Sequence, residues 1–197
     1  MDRFSTKRLL KKNLDYISGK TLDLGCGRGK YKELILTKAS QYIGADFYEH
    51  KNVDVYTDAR NTPFKNNEFE TVICLQVLEH IAEPHKVIQE CFRIVKNGGK
   101  VILTTVWLYP YHHEPDDYFR FSRKALEFMF TKVGFKIIKL ESRGGRCRII
   151  SVFLRIWLKN KYLNKVFTNL FDYLDYIFNK KIDNLDTPSH IIIAQKR

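Results

Sequence analysis

The stretch Leu22-Asp23-Leu24-Gly25-Cys26-Gly27-Arg28-Gly29-Lys30 decides the reading of this chain. A short strand, Thr21 to Leu24, runs straight into a turn with glycine at alternate positions. Glycine lets the chain leave a strand sharply and lets a ligand lie against bare backbone. The spacing is G-x-G-x-G. It is not the G-x-G-x-x-G that seats a pyrophosphate on a helix N-terminus. Asp46 stands about 20 residues beyond the first loop glycine, at the end of a second strand, Gln41 to Ala45, where a ribose diol is gripped. Asp58 closes a third strand, Val53 to Thr57.

Outward from this loop the elements alternate in type, the pattern of βαβ units around a mostly parallel sheet. Lys7 to Ile17 reads as an amphipathic helix and Tyr31 to Lys38 as the helix after the glycine loop. Thr71 to Leu75 is a buried-type strand. Glu83 to Val95 is a helix with Pro84 in its first turn. Asn97-Gly98-Gly99 is a tight turn into the strand Lys100 to Val106. Arg123 to Val133 is a helix stopped by Gly134, and Phe135 to Glu141 and Ile191 to Gln195 are the last strands. Between these two strands lies a long aromatic segment, Ile149 to Asn179, helical in one or two pieces. It forms an insertion in a single domain spanning residues 1–197.

At 197 residues and 44% hydrophobic, the chain can bury a core, and disorder is excluded for most of it. Its four cysteines lack metal-site or disulfide-framework spacing. The basic start has no apolar signal segment, and no run reaches the length of a membrane span, so the expected location is the cytoplasm. A net charge of +12 favours anionic partners.

Taken together, these residues resemble the class I S-adenosylmethionine (SAM) dependent methyltransferases, in particular the type 11 methyltransferase-domain group. D-L-G-C-G-R-G resembles their first motif. Ile43-Gly44-Ala45-Asp46 resembles the ribose-binding strand end, and Thr57-Asp58-Ala59 with Pro63-Phe64 the adenine side. Val77-Leu78-Glu79-His80 and Arg93-Ile94-Val95-Lys96-Asn97-Gly98-Gly99-Lys100 resemble the stretches after the fourth strand and before the fifth. The resemblance implies a Rossmann-like fold, α/β, with a mostly parallel seven-stranded sheet, the last strand antiparallel, and helices on both faces. It implies SAM as cofactor. Gly25, Cys26 and Gly27 would lie under its methionine end and ribose. Asp23 would position the loop or the amino group, Asp46 would hold the ribose hydroxyls, and Phe47 would pack on the adenine. Asp58 and Ala59 would meet the adenine edge, and Leu75 and Gln76 would line the methionine side.

The segment Pro110 to Ser122 follows the fifth strand, at the sheet edge where ligands bind in open α/β folds. It also resembles a P-x-H-x-x-P-x-D-Y-F-R-F stretch of small bacterial and archaeal members. Methyl transfer from a sulfonium needs alignment and, for a hydroxyl acceptor, a base. His112 and His113 are the candidates. Arg120 would hold an anionic substrate or pair with Asp116 or Asp117. Gln76-x-x-Glu79-His80 is similar to the E-x-x-E-H metal set of ubiquinone-pathway O-methyltransferases and small-RNA 3′-end methyltransferases. Its first acid is replaced by a neutral amide, so no metal is expected.

Val152 to Phe178 carries apolar residues at helical spacing and reads as a crossover helix covering the sheet. Arg155, Lys159, Lys161 and Lys165 give it a second reading, a surface that leans on an anionic membrane. The expected function is methyl transfer to a hydroxyl of a small or lipid-linked anionic metabolite, such as a cell-envelope glycan. Two rivals stand beside it. An RNA methyltransferase rests on charge alone, and nucleic acid is disfavoured because no N-P-P-Y follows the fourth strand. The other is a SAM-binding or membrane-associating module without turnover.

Overall fold

The computed structural model describes residues 6–112, 116–158, 160–178 and 186–197. Among these, seven strands form one sheet in the order β3-β2-β1-β4-β5-β7-β6. They are β1 (Lys20–Leu24), β2 (Gln41–Asp46), β3 (Val55–Tyr56), β4 (Phe69–Leu75), β5 (Val95–Val106), β6 (Phe135–Arg143) and β7 (Ser189–Lys196). β1 pairs in parallel with β2 and β4, β2 with β3, and β4 with β5. β7 alone runs the other way, antiparallel to both β5 and β6. The strand order reverses at β1, and the C-terminal ends of β1, β2 and β4 open onto one edge, where such sheets take their ligands.

Alternation along the strands shows that both faces are covered. Leu22, Leu24, Val72, Cys74, Val101, Leu103, Ile192 and Ala194 belong to one core. Helices α3 (Pro84–Ile94) and α4 (Arg123–Val133) supply Val87, Ile88, Leu126 and Phe130 to it. The intervening residues Ile73, Leu75, Ile102, Ile191 and Ile193 belong to a second core, with Leu10 from α1 (Thr6–Lys12) and Ile35 from α2 (Lys32–Leu36). Successive strand residues point to opposite faces, so strands that are apolar at every position need helices on both sides.

Three boundaries differ from the sequence reading. The first helix stops at Lys12, and Leu14–Tyr16 continues as a 3-10 turn. Asn97-Gly98-Gly99 is not a separate turn. β5 begins at Val95, and the register jumps from Phe69↔Val95 to Thr71↔Lys100, so these residues bulge out of a continuous strand with Gly98 at φ +79°. The segment read as one or two helices is two, α5 (Arg146–Trp157) and α6 (Lys161–Phe178).

α6 does not serve as a sheet cover. It packs on α5 through buried charge. The Asp175 carboxylate accepts the N–H groups of Gly145, Cys147 and Arg148 at 2.8, 3.0 and 2.9 Å. It thus caps α5 in place of a local side chain. Asp172 pairs with Arg148 at 2.8 Å, and both are almost fully buried. The stripe Leu163, Val166, Leu170, Tyr173 and Ile177 is correspondingly turned outward, each residue 45–61% exposed. Apolar spacing showed the helix but not which face is buried, because that face places Asp172 and Asp175 among half-buried Phe167, Phe171 and Leu174.

Candidate active site

The chain leaves β1 through Gly25 at φ +75°, where a Cβ would stand 2.2 Å from Val77 Cγ2. Only glycine fits here. The N–H groups of Gly25 and Cys26 both point at the Ala45 carbonyl, at 2.8 and 3.1 Å, fastening the loop to the end of β2. Gly27 also has positive φ, but a Cβ there would meet nothing within 4 Å, because it borders open space. Its N–H donates to Asp46 Oδ2 at 2.7 Å, and Asp46 Oδ1 accepts the Tyr48 N–H at 3.0 Å.

A cavity of about 500 Å³ opens beside this loop. It is lined by Gly25, Gly27, Asp46, Phe47, Asp58, Ala59 and Gln76, seven of the ten residues expected at the cofactor. The remaining three stand behind the wall. Asp23 is buried and accepts the Tyr42 hydroxyl at 3.0 Å. Burial pushes its carboxyl up to about 7 against the opposing effect of that hydrogen bond. Cys26 turns its Sγ toward the Gly27 carbonyl, and burial, reinforced by Asp23, raises its thiol to about 12, so it is an inert packing group. Leu75 packs into the second core.

Residues the sequence reading missed complete the cavity. Arg60 holds Asp58 through two guanidinium nitrogens, Nε at 3.0 Å and Nη2 at 2.6 Å, and keeps that carboxyl below its ordinary range. Tyr48, His80 and Tyr118 also line it. Tyr48 and Arg60 lie next to expected residues in sequence. Tyr118 arrives from the loop after β5, because its N–H donates to the Glu79 carbonyl at 2.9 Å, and only the fold shows that.

Gln76 ends β4 at φ +58°, a left-handed conformation that costs a non-glycine residue roughly 1 kcal/mol. Its amide donates to Thr104 Oγ1 at 3.0 Å. The strained residue lines the large cavity and also a second one, of about 160 Å³, at the ends of β5 and β6.

His112 touches a lining residue of each cavity. Its ring is edge-on to His80, which lines the large cavity, with centroids 5.0 Å apart, and edge-on to Tyr109, which lines the smaller one, at 5.3 Å. Its N–H donates to Asp117 Oδ2 at 2.9 Å. That same fully buried carboxylate grips Arg120, whose Nη2 is 2.6 Å away. The Arg120 guanidinium pulls Asp117 far below the usual carboxylate range. Arg120 therefore serves the loop, pairing with Asp117 of the two acids considered. The second candidate base, His113, lies outside the described residues.

Glu79, His80 and His112 each place one ligand-capable atom within 4.8 Å of the others. Glu79 Oε2 accepts the Thr105 hydroxyl at 2.7 Å, Oε1 has no partner, and burial raises the carboxyl. Glu79 and His80 are adjacent in the chain, and the loop held through Asp117 brings His112 to them.

The glycine loop on an open α/β sheet, with a carboxylate at the next strand end, defines the class I SAM-dependent methyltransferase architecture. Residues 22–103 match the family described as methyltransferase domain, so the chain carries a methyltransferase domain, and SAM is the cofactor of its class. It is 28% identical over 144 residues to a ubiquinone biosynthesis O-methyltransferase of Pseudomonas fluorescens, covering 64% of this chain and 54% of that one. A protein of the same name from Pseudomonas paraeruginosa is 31% identical over 148 residues, with coverages of 65% and 56%. The chain thus spans little more than half the length of these relatives. A SAM-dependent methyltransferase from Archaeoglobus fulgidus superposes with a TM-score of 0.68 at 17% identity, over 96% of this chain and 92% of that one, and shares the fold.

Proposed function

We propose that this protein transfers the methyl group of SAM to a hydroxyl of a small or lipid-linked anionic metabolite. The residues fit the cofactor. Bare backbone at Gly25 and Gly27, the Asp46 and Asp58 carboxylates and the open Phe47 ring border a cavity of suitable size. When bound, SAM supplies an electrophilic sulfonium methyl with a good leaving group. Asp46 binds the ribose hydroxyls, and the Gly25–Gly27 backbone takes the methionine end. Gln76 forms the wall between cofactor and acceptor. His112 accepts the hydroxyl proton at a ring nitrogen, and Asp117 keeps its backbone in place.

The observation that carries this reading is the contact of His112 with a lining residue of each cavity. A base is required for a hydroxyl, and the curated relatives carry O-methyltransferase names. The test is incubation with methyl-labelled SAM and cell extract, followed by mass spectrometry. A methylated small or lipid-linked anionic product is expected. Label confined to RNA, or SAM binding without any product, would defeat the reading.

The outward stripe of α6 supports peripheral contact with an anionic membrane, with Lys165 on the same helix. No helix among the described residues is long and apolar enough to cross a membrane. Co-sedimentation with phosphatidylglycerol vesicles at low salt is expected, and should weaken in Val166→Ser with Leu170→Ser. Wild-type protein that stays in solution ends the membrane reading.

A further inference from the structure

The wall of the large cavity that follows β3 is organised around one ion pair. Asp58, Ala59 and Arg60 all line the cavity, and Arg60 folds back two residues to meet Asp58. Asp58 Oδ1 accepts the Arg60 backbone N–H at 2.8 Å and Nε at 3.0 Å. Oδ2 accepts Nη2 at 2.6 Å and shares Nε at 3.0 Å. The carboxylate is thereby fixed in direction as well as in place. The guanidinium also reaches beyond its own loop. Nη1 donates to Glu83 Oε2 at 3.2 Å, and Glu83 Oε1 takes Lys86 at 2.7 Å. Glu83 stands immediately before α3 and after Ile81 and Ala82, which line the same cavity. Arg60 therefore ties the loop after β3 to the segment after β4.

Stability does not account for this arrangement. The Arg60 and Asp58 side chains are 37% and 30% exposed, and ion pairs so open to water contribute little to a fold. What the pair changes is the carboxylate. Hydrogen bonding from Arg60 keeps it below its ordinary range, so it is an acceptor only. Arg60 occupies it with three N–H groups, against the roughly four lone-pair sites a carboxylate offers, which leaves room for one more donor. Glu83 shares the guanidinium charge, so Asp58 is not neutralised and stays a strong acceptor.

We propose that Arg60 is a positioning residue for the nucleobase of the cofactor, holding Asp58 as a rigid acceptor that selects a purine with an exocyclic amino group. This rests on the SAM reading above, in which Asp58 meets the adenine edge. An amino group brings the donor that the remaining site on Asp58 requires. A purine with hydrogen at that position brings none. Without Arg60 the carboxylate is free to rotate and hydrate, and ordering it when the cofactor binds carries a cost that the arginine removes in advance.

The test uses the full chain and calorimetry with two ligands, S-adenosylhomocysteine and its analogue with hydrogen in place of the adenine amino group. Wild type should bind the first about tenfold more tightly, the worth of one hydrogen bond to a charged group. Arg60→Gln should weaken S-adenosylhomocysteine severalfold and leave the analogue near its wild-type affinity, so the ratio between them shrinks. In an Asp58→Ala background the two ligands should bind equally, and adding Arg60→Gln should change neither affinity. The melting temperature of unliganded Arg60→Gln should match wild type. A wild-type ratio of one, an unchanged ratio in Arg60→Gln, or a further loss on top of Asp58→Ala would overturn the assignment. So would a lowered melting temperature with the ratio preserved, which would make the pair structural. Failure of the SAM reading shows separately, as a wild-type protein that binds neither ligand.

Discussion

His80 and His112, 32 positions apart in the chain, stand edge to face with ring centroids 5.0 Å apart, and His80 lines the larger cavity. His112 is brought there by its backbone bond to Asp117. Substituting His112→Ala should lower kcat by roughly 10²–10⁴-fold, the usual contribution of a general base. SAM affinity should be unchanged, since His112 does not line the cofactor cavity. A variant with wild-type kcat would remove His112 from the chemistry.

Asp46 has two tasks. It holds the glycine loop through the Gly27 N–H, and it faces the cavity where the ribose would lie. Asp46→Ala should weaken SAM binding by about 3 kcal/mol or more, the sum of two charge-assisted hydrogen bonds, or a hundredfold and upward in Kd. Calorimetry measures this directly. Circular dichroism should show the fold retained, since the Gly25 and Cys26 bonds to Ala45 do not involve Asp46. Unchanged SAM affinity would show that the ribose lies elsewhere.

Asp23 gives the pH dependence. Its carboxyl is raised by burial from 3.8 to about 7. A raised acid binds its proton more tightly in the folded state, so stability falls as pH rises from about 4 to about 7 and stays low above it. The loss is up to roughly 4 kcal/mol. Asp23→Asn, which still accepts from Tyr42, should therefore melt higher than wild type at pH 8 and match it at pH 4. If the ionised carboxylate meets the amino group of SAM, wild-type affinity should increase with pH up to about 7 and level off, and the variant should lose that slope. Equal melting temperatures at pH 8 would show that Asp23 is not held protonated.

The Glu79, His80 and His112 cluster is tested by chelation. A buried carboxyl whose burial favours its protonated form makes a poor cation site. EDTA is expected to leave both SAM binding and turnover intact. Turnover lost to EDTA and restored by a divalent ion would place a metal on these three residues.

Much of this was legible beforehand, for identifiable reasons. The seven strands announce themselves because each is apolar on both faces or ends at a glycine or an acid. The glycine loop and Asp46 are local, set by one turn and the next strand end. What was not legible depended on distant pairing. Tyr118 reaches the site through the Glu79 carbonyl, and that bond leaves no mark in spacing. α6 was misjudged because apolar periodicity was assumed to mark the buried face, whereas Asp172 and Asp175 occupy it.

The antiparallel strand β7 has a consequence for how the protein is made. It sits between β5 and β6, pairing Lys100 with Gln195 and Phe135 with Lys196, yet a ribosome translates it after both neighbours. Until residues 189–196 emerge, β6 has no ladder partner among the described strands, and the Val101–Leu103 edge of β5 stays open. Such an edge invites pairing with another chain. The nascent protein should therefore depend on chaperones until β7 has emerged. Fragments that stop short of β7 should collect in inclusion bodies even though they contain the whole cofactor loop.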